Sequence, residues 1–319
     1  MIQISKNIQL AVDLLNNEEI IGFPTETVYG LAGNIFSEKA VNSIFDVKQR
    51  PKTNPLIVHI AKIEHLDKIA NEIPENAIKL ANTFWPGPMT LLLKKNDSIP
   101  DYITAGKDSV AVRIPNHTMA LEILHAIDFP LAAPSANPFG MISPTTAKHV
   151  ADFFPNKIKA VFDGGDCENG IESTIVGFDN ENVIVYRLGA ISIENIEKIV
   201  GTTTQFTNEN HSPVAPGMMK KHYAPNTNFI LTDKISIEIE KNNHLRIGIL
   251  TFDKNYDSSA ILHKEILSKS SNFSEASKKL YAAMHRLDQL DLDLIIAERF
   301  PDYDLGKSIN DRLTRASEK

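Results

Sequence analysis

Lys48, Arg50 and Lys52 stand two apart in KQRPKTNPLIVHI, residues 48–60, a run punctuated by Pro51 and Pro55. Read as an extended segment, that spacing puts three cations on one side of a strip that the prolines stiffen. Like charges held so close repel unless an anion lies between them, and a triphosphate is such an anion. The competing reading is a solvated loop after a helix C-terminus, where cations are favoured anyway.

Other residues invite similar pairs of readings. In DSVAVRIP, Val110, Val112 and Ile114 face one way, and Ser109, Ala111 and Arg113 the other. An arginine among small side chains is poised to fork a carboxylate or phosphate, unless the face is merely solvated. Arg187 in NVIVYRLG shares its face with Val183 and Val185 and poses the same choice. FPTETVYGLAG, residues 23–33, follows a strand with hydroxyls and glycines, suited either to a small polar ligand or to a plain turn. LAAPSANPFGMISPT sets Ser135, Asn137 and Ser143 among prolines and small residues, where a flat ring or a backbone approaches closely. GGDCENGIEST ends in Ser173 and Thr174. Neither loop is a P-loop, since no G-x-x-x-x-G-K-[ST] occurs. His59 lies inside the apolar run LIVHIA, where a histidine is either a satisfied core residue or a site residue.

The elements that must carry these residues show in the periodicity. Ile8, Ala11, Val12 and Leu15 form one helical stripe. EEIIGFP reads as a strand stopped by Pro24, and SEKAVNSIFDVK as a helix capped by Ser37 and stopped by Pro51. LIVHIA is a buried strand, followed by two helical stretches up to NTFWPGP. Strands are expected at MTLLLKK, SVAVRIP, PLAAPSA, AVFDGG, STIVGF and NVIVYRLG, with a helix at PTTAKHVADFF. The intermixing predicts one α/β domain over residues 1–201. Residues 202–225 lack periodicity and carry three prolines, which reads as a linker. It is an odd one, because flexible linkers are usually Gly, Ser and charge, whereas Met218, Met219, His222 and Tyr223 suit a segment that packs as a lid. Residues 226–319 resume with strands NFILTD, RIGILTF and DLIIAERF. Between them lies a helix capped by Asn272, with Glu275 three residues on and the stripe Phe273, Ala276, Leu280, Met284, Leu287. This predicts a small parallel, Rossmann-like sheet, and the absence of G-x-G-x-x-G argues against a dinucleotide.

Bulk properties narrow the classes. The 319 residues, 42% hydrophobic and 23% charged, suffice for two ordinary globular domains. A single cysteine, Cys167, rules out an internal disulfide and a cysteine zinc cluster. The N-terminus does not read as a signal peptide, no apolar run approaches a bilayer's span, and a soluble cytoplasmic protein is expected. A net charge of −7 argues against gripping nucleic acid by its backbone, so any polyphosphate site must be local.

Taken in order, PTETVYGL, KQRPKTNPLIVHI, FWPGPMT, AVRIP, APSAN, ESTIV, RLGAI and PGMMKKHYAP resemble the threonylcarbamoyl-AMP synthases of the longer, two-domain type. The likeness runs over residues 20–201, then through the hinge motif, then to a terminal GKSINDRLTRA. It implies a twisted YrdC-like α/β domain with a central basic cavity, followed by the Rossmann-like domain. It implies a nucleotidyltransferase that joins L-threonine, bicarbonate or carbon dioxide and ATP into threonylcarbamoyl-AMP and pyrophosphate, with Mg²⁺ accompanying ATP. A partner complex would move the threonylcarbamoyl group to the adenosine beside a tRNA anticodon, and no stable tRNA binding by the enzyme is expected. Carried over by position, Thr27, His59, Arg113, Ala133 and Ser173 would surround threonine. Arg50, Asn54, Ser109, Ser135, Ser143 and Arg187 would hold the nucleotide, with Tyr223 closing over it. Lys48, Arg50 and Lys52 would face the phosphates as the catalytic cations. Departures from the pattern are Met219 after Met218, which leaves open which hinge lysine reaches the phosphates, Ser109 where threonine is common, and a short second domain. The other classes kept in view are a non-catalytic nucleotide- or RNA-binding protein, which the net charge disfavours, and a carbamoyl-transfer module of hydrogenase maturation, whose Cys-x-x-Cys motifs are missing. Replacing Arg50 by alanine is expected to cut turnover far more than stability, on the ground that a solvated cation contributes little to a fold.

Overall fold

A computed structural model describes residues 2–206 and 222–318. Its first part runs β1 (Gln3–Ser5), α1 (Ile8–Asn16), β2 (Ile21–Phe23), β3 (Gly30–Asn34), α2 (Glu38–Lys48) and β4 (Ile57–His59). A 3₁₀ turn over Ile63–Lys68 leads to α3 (Glu75–Phe84), β5 (Met89–Lys94), α4 (Asp101–Thr104), β6 (Ser109–Arg113), α5 (Thr118–His125) and β7 (Leu131–Ala132). Then come α6 (Ala147–Phe153), β8 (Ala160–Phe162), β9 (Thr174–Asp179), β10 (Asn182–Arg187), α7 (Ile193–Val200) and β11 (Thr204–Gln205). The second part holds β12 (Asn228–Thr232), α8 (Ile235–Lys241), β13 (Ile247–Thr251), β14 (Ile261–Ile266), α9 (Phe273–Asp288), β15 (Leu294–Glu298) and α10 (Leu305–Ser317).

The first eleven strands form one mixed sheet in the order β1-β8-β2-β3-β7-β4-β6-β5-β9-β10-β11. The last four form a separate parallel sheet, β12-β15-β13-β14. The fold class is thus the expected one. Residues 204–205 of the expected linker pair with β10, residues 222–225 are described, and most of the remainder, including Met218 and Met219, lies outside the described residues. Among the described residues no helix is long and apolar enough to cross a membrane.

Local chemistry explains the elements. Asn7, Ser37 and Asn272 each cap a helix by accepting a backbone N–H from the third residue on. In the large sheet, Val110 and Val112 sit in the main core with Val58, Leu91 and Val176. Ala111 packs on the other face with Ile57, Leu92 and Ile175. β4 and β6 run parallel with His59 opposite Arg113, so both side chains emerge on that second face. A bulge between Val185 and Arg187 shifts the register of β10, leaving Val183 and Val185 in the main core while Arg187 pairs with Ile175. The strict alternation that put all three on one face therefore breaks at the bulge.

Helices α9 and α10 of the second domain pack against loops and helices of the first. Ser308 Oγ donates to the Gly189 carbonyl at 2.8 Å, and Lys307 reaches Glu194 at 2.8 Å. The His149 and His285 rings stack with centroids 4.0 Å apart, and His285 Nε2 lies 3.1 Å from the Ser143 carbonyl.

Candidate active site

The strand ends and loops of the large sheet converge on a cavity of about 50 Å³. Thr27, Arg50, His59, Arg113, Ala133, Ser135, Ser173, Arg187 and Tyr223 line it. The cavity thus gathers nine of the residues singled out in the sequence, from seven separate stretches of chain. Thr25, Glu172 and His222 line it too.

One half is built on β4 and β6. Pro24 ends β2, and the next residues turn on their own hydroxyls. Thr25 Oγ1 donates to the Val28 carbonyl at 2.7 Å and lies 2.9 Å from Thr27 Oγ1. Arg113 is fixed from three sides. Its Nε donates to the Gly87 carbonyl at 3.1 Å, its Nη1 to Thr27 Oγ1 at 2.9 Å, and its Nη2 pairs with buried Glu26 at 2.5 Å. Burial, and then Arg113 beside it, hold the His59 imidazole down at about 3, so it is neutral at ordinary pH. Its Nδ1 has no hydrogen-bond partner among the described residues.

The other half carries the cations. Arg50 Nη2 donates to the Pro55 carbonyl at 2.9 Å. Burial and then Arg187 push its guanidinium down to about 9, as expected where like charges share a site. Arg187 donates from Nε and Nη2 to the Ser173 carbonyl, at 3.1 and 2.8 Å, and from Nη2 to Ser173 Oγ at 3.0 Å. Tyr223 packs its ring 4.1 Å from His222 and adopts a left-handed φ of 63°, a region costly for a residue with a Cβ.

The cation strip is not what its spacing suggested. Lys48 is the last residue of α2, Gln49 caps that helix in the left-handed region, and no extended run exists across them. Buried Lys48 donates to the carbonyls of Ser135 and Asn137. Burial, and then Arg50, draw its ammonium well below the usual lysine range. Lys52 is exposed and donates to Asn42 Oδ1 at 2.7 Å. Of the three, Arg50 alone lines the cavity. Asn54 is buried nearby, its amide without a hydrogen-bond partner among the described residues. Ser109, half-buried at the start of β6, and buried Ser143 stand outside the lining.

Sequence reasoning missed Glu26, Glu172, Tyr281 and Arg312. Glu26 and Glu172 sit inside the quoted motifs PTET and IEST, but no charge pattern marked them. Glu172 accepts hydrogen bonds from Ser143 Oγ at 2.6 Å, Tyr281 Oη at 2.9 Å and Arg312 Nε at 3.2 Å. Tyr281 and Arg312 come from α9 and α10, whose roles no local pattern could reveal. Among the described residues, no three His, Cys, Asp or Glu gather as a metal site.

A family model described as "Telomere recombination" matches residues 13–189, and one described as "Threonylcarbamoyl-AMP synthase, C-terminal domain" matches residues 191–318. A Pyrococcus abyssi protein named threonylcarbamoyl-AMP synthase is 38% identical, covering 97% of this chain and 94% of its own. One of that name from Bacillus subtilis is 36% identical, covering 96% and 92%. The crystal structure of P. abyssi Sua5 complexed with L-threonine superposes with a TM-score of 0.91 at 37% identity, over 99% of this chain and 97% of that one.

Proposed function

The chain belongs to the two-domain threonylcarbamoyl-AMP synthase family, and from that premise we propose how its cavity does the chemistry. The enzyme makes threonylcarbamoyl-AMP and pyrophosphate from L-threonine, bicarbonate or carbon dioxide, and ATP. The observation that carries our assignment of roles is the gathering of Arg113, His59, Thr27 and Ser173 against Arg50 and Arg187 in one cavity.

Threonine binds in the half built on β4 and β6. Arg113 gives one N–H each to Gly87 and Thr27 and pairs with Glu26 through Nη2, and its remaining N–H groups fork the substrate carboxylate. Neutral His59 offers its unpartnered Nδ1 to the substrate's polar groups. The amine of threonine, once carboxylated, is a carbamate, and its oxygen attacks the α-phosphorus of ATP. A bond forms from carbamate oxygen to phosphorus as the bond from phosphorus to the bridging oxygen breaks, and pyrophosphate departs with the electron pair. The nucleophile is already anionic, so positioning and charge stabilisation are the enzyme's task.

Arg50 and Arg187 face the triphosphate, and Asn54 and Ser135 hold the nucleotide. Tyr223 closes over it, and moves to admit it, since about 50 Å³ has room for a few waters rather than two substrates. Lys48 acts indirectly by fixing the loop of Ser135 and Asn137. Mg²⁺ enters as part of the substrate, carried by the phosphates. The product passes to a transferase complex acting on tRNA, with no stable tRNA binding here. Incubation with threonine, bicarbonate, ATP and Mg²⁺ should release pyrophosphate in a threonine-dependent manner. Release no faster than in the threonine-free control would sink this reading.

A further inference from the structure

We propose that Arg312 and Tyr281 of the second domain are positioning residues for the nucleotide half of the cavity, acting through Glu172. This rests on the function proposed above, because it concerns how that same site receives ATP.

Glu172 is an awkward residue for the wall of a cavity that must accept a polyanion. It is buried beside the guanidinium of Arg187 and close to the Tyr223 ring. A loose carboxylate there would neutralise the arginines meant for phosphate, or repel the phosphates outright. The structure removes that freedom. Glu172 is bound by three groups, and two of them belong to the other domain: Tyr281 Oη, at 2.9 Å and 3.2 Å from its two oxygens, and Arg312 Nε at 3.2 Å. The third is Ser143 Oγ at 2.6 Å, the hydroxyl expected at the nucleotide. Arg312 is fully buried, and its guanidinium lies 5.6 Å from the centre of the Tyr223 ring. The Tyr281 and Tyr223 rings are themselves 5.6 Å apart. One guanidinium from α10 therefore touches the carboxylate in the wall and the aromatic ring beside it.

Burial alone would raise the Glu172 carboxyl. Arg312, then Arg187 and the Ser143 hydroxyl, outweigh that and keep it ionised. Its charge is thus balanced first by Arg312 of the second domain and only then by Arg187 in the cavity. A buried pair broken from one side leaves an uncompensated charge that seeks another partner. For Glu172 that partner is Arg187, and through it the phosphate site is lost.

The test uses the full chain and its Arg312→Met, Arg312→Lys, Tyr281→Phe, Glu172→Gln and Arg312→Met/Glu172→Gln variants. Threonine-dependent pyrophosphate release is measured over separate titrations of ATP and threonine, alongside melting. Arg312→Met should raise the KM for ATP about tenfold or more, and that for threonine less than about threefold. Arg312→Lys should recover part of the loss, and Tyr281→Phe should move the same constant by a smaller factor. The double variant should return to within about threefold of Glu172→Gln alone, since no stray charge is left to hold. The proposal is overturned if Arg312→Met leaves the KM for ATP unchanged. Equal shifts in both KM values that follow the melting temperature, or additive losses in the double variant, also overturn it. Should the parent release no pyrophosphate with threonine, the function itself fails, and the coupling is then read from calorimetric ATP binding. A dissociation constant unmoved by Arg312→Met, or no ATP binding at all, would reject it there as well.

Discussion

Arg50 is a buried cation beside a second cation, and no ion pair to a carboxylate relieves it among the described residues. Such a group costs the fold and is kept for what it binds. The sequence reading treated it as a solvated charge of little consequence to stability, and burial changes the argument while keeping its direction. Arg50→Met should lower threonine-dependent pyrophosphate release by at least about a hundredfold. Its melting temperature should be no lower than the parent's, because a desolvated charge and its repulsion of Arg187 both disappear. A clear drop in the melting temperature would mean that Arg50 holds the fold and would undo this account. At this scale the sequence was informative about side chains that line the cavity, because Arg113, His59 and Ser173 had chemistry visible in their types. It was silent on the residues behind them. Glu26 and Glu172 do their work through partners 87 and 140 positions away, Arg113 and Arg312, and no local pattern encodes such a distance.

Elements were legible where one face is apolar and the ends are capped. The stripes of α1 and α9 and the caps of α2 and α9 could be read directly, whereas the Asn7 cap of α1 went unread. Short or ragged pieces such as β1, β11 and the bulge in β10 could not, since two or three residues carry no period. Helix α10 went unread because its buried positions include Ser308, Asn310 and Arg312, which look like a solvated surface until Ser308 and Arg312 meet the other domain and Asn310 the backbone of Phe300. The seam between domains is tight in one place that can be probed. Gly170 has φ +71°, and a Cβ there would meet the backbone carbonyls of Lys278 and Ser277 at 2.4 and 2.5 Å. Gly201 has φ +79° with nothing within 4 Å of such a Cβ. Both alanine variants should lose about 1–3 kcal/mol to backbone strain. Gly170→Ala should lose more in urea unfolding, the excess being the clash with α9. Equal losses would show that the seam yields freely.

Among the described residues, burial draws the imidazoles of His59, His149, His222 and His285 below their ordinary range. His59, His149 and His222 are each held at about 3, burial being the largest cause in every case, far below the ordinary 6.5. The unfolded chain therefore takes up protons below about pH 6.5 that the folded chain refuses until near pH 3, so stability must fall as pH falls through that window. Each fully buried histidine steepens the slope by about 1.4 kcal/mol per pH unit, and half-buried His149 by less. Melting measured at pH 7.5 and at pH 5 should differ by several degrees, the lower pH being the less stable. A flat or inverted profile would contradict the buried neutral state.

The pairing of Glu26 with Arg113 has a further consequence, one of sorting. Around β4 and β6 the fixed charges cancel: one guanidinium, one carboxylate, one neutral imidazole. Across the cavity Arg50 and Arg187 outnumber Glu172, which Arg312 already pairs from behind the wall. The two ends of the cavity thus offer different potentials to whatever enters. A zwitterion gains little at the cationic end, and a polyanion gains little at the balanced one. On the roles proposed above, an amino acid and a nucleotide would be drawn to opposite ends of the same cavity, and the order of the two reacting groups would follow from electrostatics before any specific contact is made.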